Sequence, residues 1–339
     1  MLEKPELKDD SIINCLQEAY GLRVSRIEFL PLGADRDTAV YRVTTQDGID
    51  YFLKLRCGAF NPAGVTVPKF LSDRGMKQVI PPLTTRIGAL WADLTPYKVI
   101  LYPYVEGHNA YEKKLSHQHW IDFGAALKKL HTLTMPATIS CHIRKEDFSP
   151  RWREEAIKVL TRIEQETFDD PLAVELSAFL KSKSEEIIKL VNRAGRLAQE
   201  LQDLPPEFVL CHSDIHGWNL LIDKNDALYL VDWDTLIYAP KERDLMFIGC
   251  GLGNSGYTPQ EEGDLFYRGY GRIKVNRSAI AYYRYERIIE DIAAFCDQIF
   301  SSDGSGEDRK QSLEYLKSNF LQGNTIERAY LSDRTSLSH

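Results

Sequence analysis

What this sequence lacks narrows its function before any motif is considered. Its six cysteines, Cys15, Cys57, Cys141, Cys211, Cys250 and Cys296, include no CxxC pair, and several lie in apolar runs such as Phe208 to Cys211. They read as reduced core residues. No apolar stretch approaches the roughly 18 residues that a membrane span requires, and Met1 to Asp10 is charged with no apolar signal-peptide core. A cytoplasmic protein with no membrane partner is the expectation. Positive charge is not in excess: 42 Lys and Arg against 49 Asp and Glu give a formal net charge of -7. That balance offers no surface for a nucleic-acid backbone, so no nucleic acid is expected as partner, whereas a cationic small molecule would meet a mildly favourable field. Internal repeats, low-complexity tracts and a Walker A sequence are all missing.

What is present is enough chain, 339 residues with 43% hydrophobic content, for one large or two medium domains. From Val24 to Tyr104 the signals are mainly those of strands: Val24 to Phe29, Ala39 to Val43, Tyr51 to Leu55 and Lys98 to Tyr102. The second and third are joined through Asp47-Gly48, which supplies the positive φ that tight hairpins need, so Lys54 sits on the second strand of a hairpin. A short helix over Val65 to Arg74, stopped by Gly75, interrupts the strands. Beyond Gly107 the period changes. Trp120, Phe123, Leu127 and Leu130 recur at three and four residues and make one helical stripe. Pro150 and Pro171 each open a further helix, the second long and ending near Leu201. A β-rich core of Phe208 to Cys211, Leu220 to Ile222 and Leu228 to Val231 follows, then a helix from Ala279 to Phe300 and a polar tail after Ser301.

The strongest chemical signal is His212-Ser-Asp214-Ile-His-Gly-Trp-Asn219, which follows a short strand and precedes a hairpin ending in Asp232-Trp-Asp234. The separation of Asp214 from Asn219 matches the catalytic loop of kinases, in which the aspartate accepts the proton of the substrate hydroxyl and the asparagine holds magnesium. Asp232 is then the second metal ligand. Mg²⁺ prefers carboxylate and amide oxygens, and a phosphoryl acceptor needs a carboxylate to orient its hydroxyl. Taken singly, the first stretch is a polar turn and the second a strand end with solvated carboxylates. Their order and spacing, with a strand lysine upstream and helices between, favour the kinase reading. His212 suits support of the loop, and it forms no helical metal pair with His216 because the loop between them is not helical.

On these residues the sequence resembles the aminoglycoside phosphotransferase and choline kinase-like superfamily, whose HxDxxxxN loop and following D-x-D are matched by His212, Asp214, Asn219, Asp232 and Asp234. The run from Val231 to Gly249 is similar to the spectinomycin phosphotransferase branch. The resemblance implies a two-lobed, protein-kinase-like α+β fold with an N-terminal antiparallel sheet lobe (1–102), a linker (103–107) and a larger, mainly helical lobe (108–339). It implies ATP or GTP as co-substrate, Mg²⁺ as cofactor, and a structural role for Asp244 at a helix start. Lys54 would contact the nucleotide phosphates. Gly33 and Asp35 fall in the segment that takes the place of the phosphate-covering loop, although Gly33 to Thr38 has only one glycine. Tyr104 lies in the stretch resembling the interlobe linker, where the adenine would be met. One departure stands out: kinases pair that lysine with a helix glutamate, and no acid lies between Arg56 and Leu71.

On the acceptor side, Asp234 is a candidate contact, and Glu286 and Glu290 share a face of the last long helix, an acidic wall suited to an amine. The bland alternative is a solvated helix face. Gly251-Leu-Gly253-Asn-Ser-Gly256 fits GxGxxG, but Thr258 to Gly263 after it does not look like an apolar helix, so a flexible loop is expected rather than a dinucleotide site. The reading is a phosphotransferase acting on an aminoglycoside or aminocyclitol. A metabolic kinase for choline, homoserine or methylthioribose shares every catalytic residue, and a nucleotide-binding protein without turnover is the reading from a different class.

Overall fold

The computed structural model describes residues 3–33, 35, 37–250, 256–300, 306–321 and 325–334. Helix α1 (Asp9–Tyr20) precedes strands β1 (Val24–Leu30), β2 (Thr38–Thr45) and β3 (Asp50–Arg56), helix α2 (Ala63–Asp73), and strands β4 (Ala92–Leu94), β5 (Tyr97–Pro103) and β6 (Gly107–Asn109). Next come α3 (His117–Thr132), α4 (Ala137–Ser140), β7 (Arg144–Lys145), α5 (Arg151–Gln165) and α6 (Pro171–Asp203). The rest is β8 (Phe208–Cys211), a single 3-10 turn at Gly217–Asn219, β9 (Leu220–Asp223), β10 (Leu228–Leu230), β11 (Ile237–Pro240), and helices α7 (Glu242–Leu245), α8 (Pro259–Tyr270), α9 (Arg277–Phe300), α10 (Gly306–Ser318) and α11 (Thr325–Arg334). This is an α+β chain with an N-terminal antiparallel sheet and a mainly helical C-terminal part.

Two compact units divide it: Met1–Arg144 with His212–Ile237 and Gly251–Gly271, and Lys145–Cys211 with Tyr238–Cys250 and Arg272–His339. In the first, five strands pair in the order β1-β2-β3-β5-β4, every neighbour antiparallel. Alternation along β3 sends Leu53 and Leu55 into an apolar cluster with Ile12 and Leu16 of α1, and Lys54 to the opposite face. Register sets Lys54 across from Val40 and Ile100. A second sheet, β10-β9-β6, carries the segment after the His212 to Asn219 stretch, and Leu230 N donates to Gln78 O at 2.8 Å beyond α2.

The stripe Trp120, Phe123, Leu127 and Leu130 is fully buried on α3. There α8 lies so close that a Cβ on Gly124 or Gly269 would strike the partner helix's backbone. That helix corrects the expectation for Thr258 to Gly263. Thr258 and Glu261 form a capping box and Pro259 begins the helix, while its apolar residues Leu265, Phe266 and Tyr270 come only in the last two turns. Of the GxGxxG run itself, Gly251 to Ser255 lie outside the described residues.

The second unit is held by α5, α6 and α9, whose Leu160, Ile163, Leu180, Leu190, Leu197, Ile288, Ile292 and Ile299 belong to one buried cluster. Asp170 caps α6 through the Ala173 amide at 3.0 Å, with Pro171 in the first turn. The polar tail after Ser301 is also more ordered than expected, since α10 and α11 add Leu313, Leu316, Ile326 and Ala329 to that cluster. Cys15, Cys211 and Cys296 are buried as the sequence suggests, but Cys141 is exposed. Among the described residues no helix is long and apolar enough to cross a membrane.

Candidate active site

The two acidic motifs meet in the first unit on unusual backbone. Ser213 has φ 71° and Asp232 φ 63°. Residues with a Cβ rarely enter this left-handed region, at a cost of about 1–3 kcal/mol each. Reciprocal hydrogen bonds stabilise both turns. Ser213 Oγ donates to Thr235 O at 2.6 Å, Thr235 Oγ1 donates to His212 O at 2.9 Å, and Trp233 Nε1 donates to Leu230 O at 3.0 Å. His212, fully buried, sets Nε2 3.1 Å from Val231 O and its ring 4.6 Å from that of Trp233.

Within this frame Asn219 donates Nδ2 to the backbone oxygen of Asp214 at 2.8 Å and to its carboxylate Oδ2 at 3.3 Å, and receives the Val231 amide on its own backbone oxygen at 3.0 Å. With Nδ2 committed, the remaining polar atom of the side chain is the amide oxygen. Asn219 and Asp232 therefore offer an amide oxygen and a carboxylate, the chemistry that suits a hard cation such as Mg²⁺, while Asp214 keeps its carboxylate beside the Asn219 amide nitrogen. Sequence reasoning weighs His216 only as a metal partner of His212, whereas its Nε2 is 3.4 Å from Asp214 Oδ2 and 3.4 Å from Asn219 Nδ2. Its place in the same turn, two residues after Asp214, is the signal that would find it.

Lys54 is 8% exposed, and its Nζ lies 2.8 Å from Asp232 Oδ1 and 2.8 Å from Asp234 Oδ2. Burial alone would lower its pKa, but the two carboxylates outweigh burial and hold the ammonium well above its ordinary value. Where a kinase would offer a helix glutamate, α2 offers Gly64, at which a Cβ would come 3.0 Å from Asp234 Oδ1. Gly33 follows β1 with φ 84°. Asp35 accepts from the Asp37 amide at 2.8 Å and from Thr38 Oγ1 at 3.0 Å and is ion-paired with Arg56. Burial pushes its carboxyl up, but these donors prevail and leave it below the usual range. Ala34 and Arg36 lie outside the described residues. Tyr104 stacks under Arg42, whose guanidinium carbon is 4.6 Å from the ring centre.

Lys54, Asp214, Asn219, Asp232 and Asp234 thus share one unit, whereas Asp244, Glu286 and Glu290 belong to the other. Asp244 is fully buried in α7. Glu286 is buried and ion-paired with Arg153 and therefore adds little net charge to its helix face. Burial, only partly offset by Arg153, pushes its pKa up to about 7. Glu290 is partly exposed, with Arg243 3.9 Å away.

Residues 28–283 match the family model described as the phosphotransferase enzyme family. Over 97% of this chain and 99% of the other, the fold superposes with a TM-score of 0.89 and 34% identity on the crystal structure of spectinomycin phosphotransferase, APH(9)-Ia, in complex with ADP and spectinomycin. The choline kinase LicA from Streptococcus pneumoniae shares the fold at a TM-score of 0.55 and 17% identity, covering 91% of this chain and 99% of that one. Protein StrN of Streptomyces griseus is 25% identical over 264 residues, 72% of this chain and 77% of StrN. The chain belongs to the phosphotransferase enzyme family and is a small-molecule phosphotransferase.

Proposed function

We propose that the protein transfers the γ-phosphoryl group of ATP or GTP to a hydroxyl of an aminocyclitol or aminoglycoside, spectinomycin being the first candidate. The observation that carries this reading is the meeting in one compact unit of a buried strand lysine, Lys54, with Asp232 at 2.8 Å and of Asp214 with Asn219 at 2.8 Å. Similarity along nearly the whole chain to a spectinomycin phosphotransferase supports the acceptor class.

In this reading Asp214 orients the acceptor hydroxyl and takes its proton, and Lys54 offers its ammonium to the nucleotide phosphates. Asn219 and Asp232 are the residues that would hold Mg²⁺, which when bound neutralises charge on the phosphates. Residues 1–102 act as the nucleotide-binding lobe, 103–107 as linker and 108–339 as the lobe with the catalytic loop and acceptor site. Gly33, Asp35 and Tyr104 belong to the nucleotide's surroundings, His212 and Asp244 to the support of the loop, and Glu286 and Glu290 to recognition of an acceptor amine.

The test is nucleoside diphosphate release by purified protein with Mg²⁺ and ATP or GTP, over a panel of spectinomycin, other aminoglycosides, choline, homoserine and methylthioribose. Stimulation by spectinomycin that disappears in Asp214→Ala is the expected result. Stimulation by one of the metabolites alone would make this a metabolic kinase. Bound nucleotide with no acceptor-dependent release would make it a nucleotide-binding protein.

A further inference from the structure

We infer that Asp234 is the residue that positions Lys54, replacing the helix glutamate of other kinases, and that Gly64 makes room for it. The inference rests on the reading of Lys54 as the phosphate-binding lysine.

Three observations carry it. A lysine as deeply buried as Lys54 needs a fixed anionic partner, because an unpaired charge in that place would be strongly disfavoured. Helix α2 cannot supply one, since its sole acid, Asp73, is its last residue. Asp234 can, with Oδ2 2.8 Å from Nζ. The approach depends on residue 64. A Cβ there would meet Asp234 Oδ1 at 3.0 Å and the Asp234 Cα and Trp233 O at 3.4 Å, so any side chain would push the carboxylate or the turn away.

The arrangement divides two tasks between neighbouring acids. Asp232 is equally close to Lys54 but is the one assigned above to the cation. Asp234 keeps the ammonium in place while Asp232 is engaged elsewhere. Arg56, 3.8 Å from Asp234 Oδ2 and ion-paired with Asp35, steadies Asp234 from its other side. Asp234 is accordingly a positioning residue. The acceptor contact first considered for it gives way to a contact with Lys54.

The experiment compares wild type with Asp234→Asn, Asp234→Ala, Gly64→Ala and the double variant Asp234→Ala with Gly64→Glu. Amine acylation of Lys54 is followed by peptide mass spectrometry in nucleotide-free protein, with the exposed Lys158 as internal reference. Asp234→Asn removes one of the two carboxylates that hold the ammonium at 2.8 Å, so acylation relative to Lys158 should rise by about tenfold, the worth of one charged hydrogen bond. Steady-state kinetics should show kcat/KM for nucleotide falling by at least about tenfold, a loss of a charge-assisted contact, with KM for the acceptor unchanged. Gly64→Ala should move both readouts in the same direction by less. Gly64→Glu places a carboxylate in the vacated space, so the double variant should recover much of what Asp234→Ala loses. An acylation rate unchanged in Asp234→Asn, or a loss confined to KM for the acceptor, would overturn the assignment. Absence of turnover in wild type with every acceptor would defeat the proposed function instead, and the acylation measurement, which needs no turnover, would still decide between the two roles of Asp234.

Discussion

The region around the D-x-D turn and the helical cluster of α5, α6 and α9 bury polar groups in different ways. In the first, His212, Ser213, Asn219 and Lys54 are all buried, and hydrogen bonds link them to Asp214, Val231, Thr235 and Asp232 on a backbone that twice enters the left-handed region. In the second, long apolar stripes provide the cohesion, and charge occurs as separate pairs such as the buried Arg153 with Glu286 and the half-buried Arg193 with Asp333. The contrast teaches that the first region gives up some stability to fix the direction of a few oxygens, while the second supplies stability without presenting such a network.

Substitutions can break or sharpen that contrast. The largest effect is expected from Asp214→Ala, which should lower kcat by a general-base-sized factor of roughly 10²–10⁴ while moving the melting temperature little; unchanged turnover would remove Asp214 from that role. Leu190→Ala, at a fully buried position of α6, should do the reverse, costing about 2–5 kcal/mol in denaturant unfolding with kcat per folded molecule preserved. Ser213→Gly is a finer probe. Relief of a strained φ and loss of the 2.6 Å bond to Thr235 are each worth about 1 kcal/mol and oppose one another. Stability should stay nearly level while turnover drops, and a large stability change with normal turnover would show that the bond serves folding alone.

The smallest effect concerns Glu286. Burial raises its pKa to about 7, so between the unfolded value near 4.5 and 7 the folded protein binds more protons there than the unfolded chain. Its contribution to stability is therefore fully present below the unfolded pKa and declines as pH rises through the folded one. The melting temperature of wild type relative to Glu286→Gln should fall between about pH 5 and about pH 8. A difference that stays constant over that range would contradict the account.

Much of this was legible in the sequence because it depends on near neighbours. Asp47-Gly48 announces the β2–β3 hairpin, the Trp120 to Leu130 stripe announces α3, and the spacing from His212 to Asn219 is set within one turn. Helix α8 escaped because its apolar residues come late, behind glycine and four acidic or amide side chains, although its Thr258 and Glu261 cap was visible. Helices α10 and α11 escaped because their polar surfaces outweigh the few residues they bury. The partner of Lys54 could not be read at all. Asp232 lies 178 residues away in the chain and Asp234 two residues beyond it, and only packing that brings Gly64 against Asp234 shows where α2 leaves room for a carboxylate beside Lys54. The same holds for Glu286, whose arginine is 133 residues distant.

The most direct measurement is mass spectrometry and phosphorus NMR of spectinomycin after incubation with Mg²⁺, ATP or GTP, and either wild-type protein or Asp214→Ala. The account predicts one phosphoryl group on a spectinomycin hydroxyl with wild type and none with the variant. Unmodified spectinomycin in both, under conditions where another acceptor is phosphorylated, would contradict it.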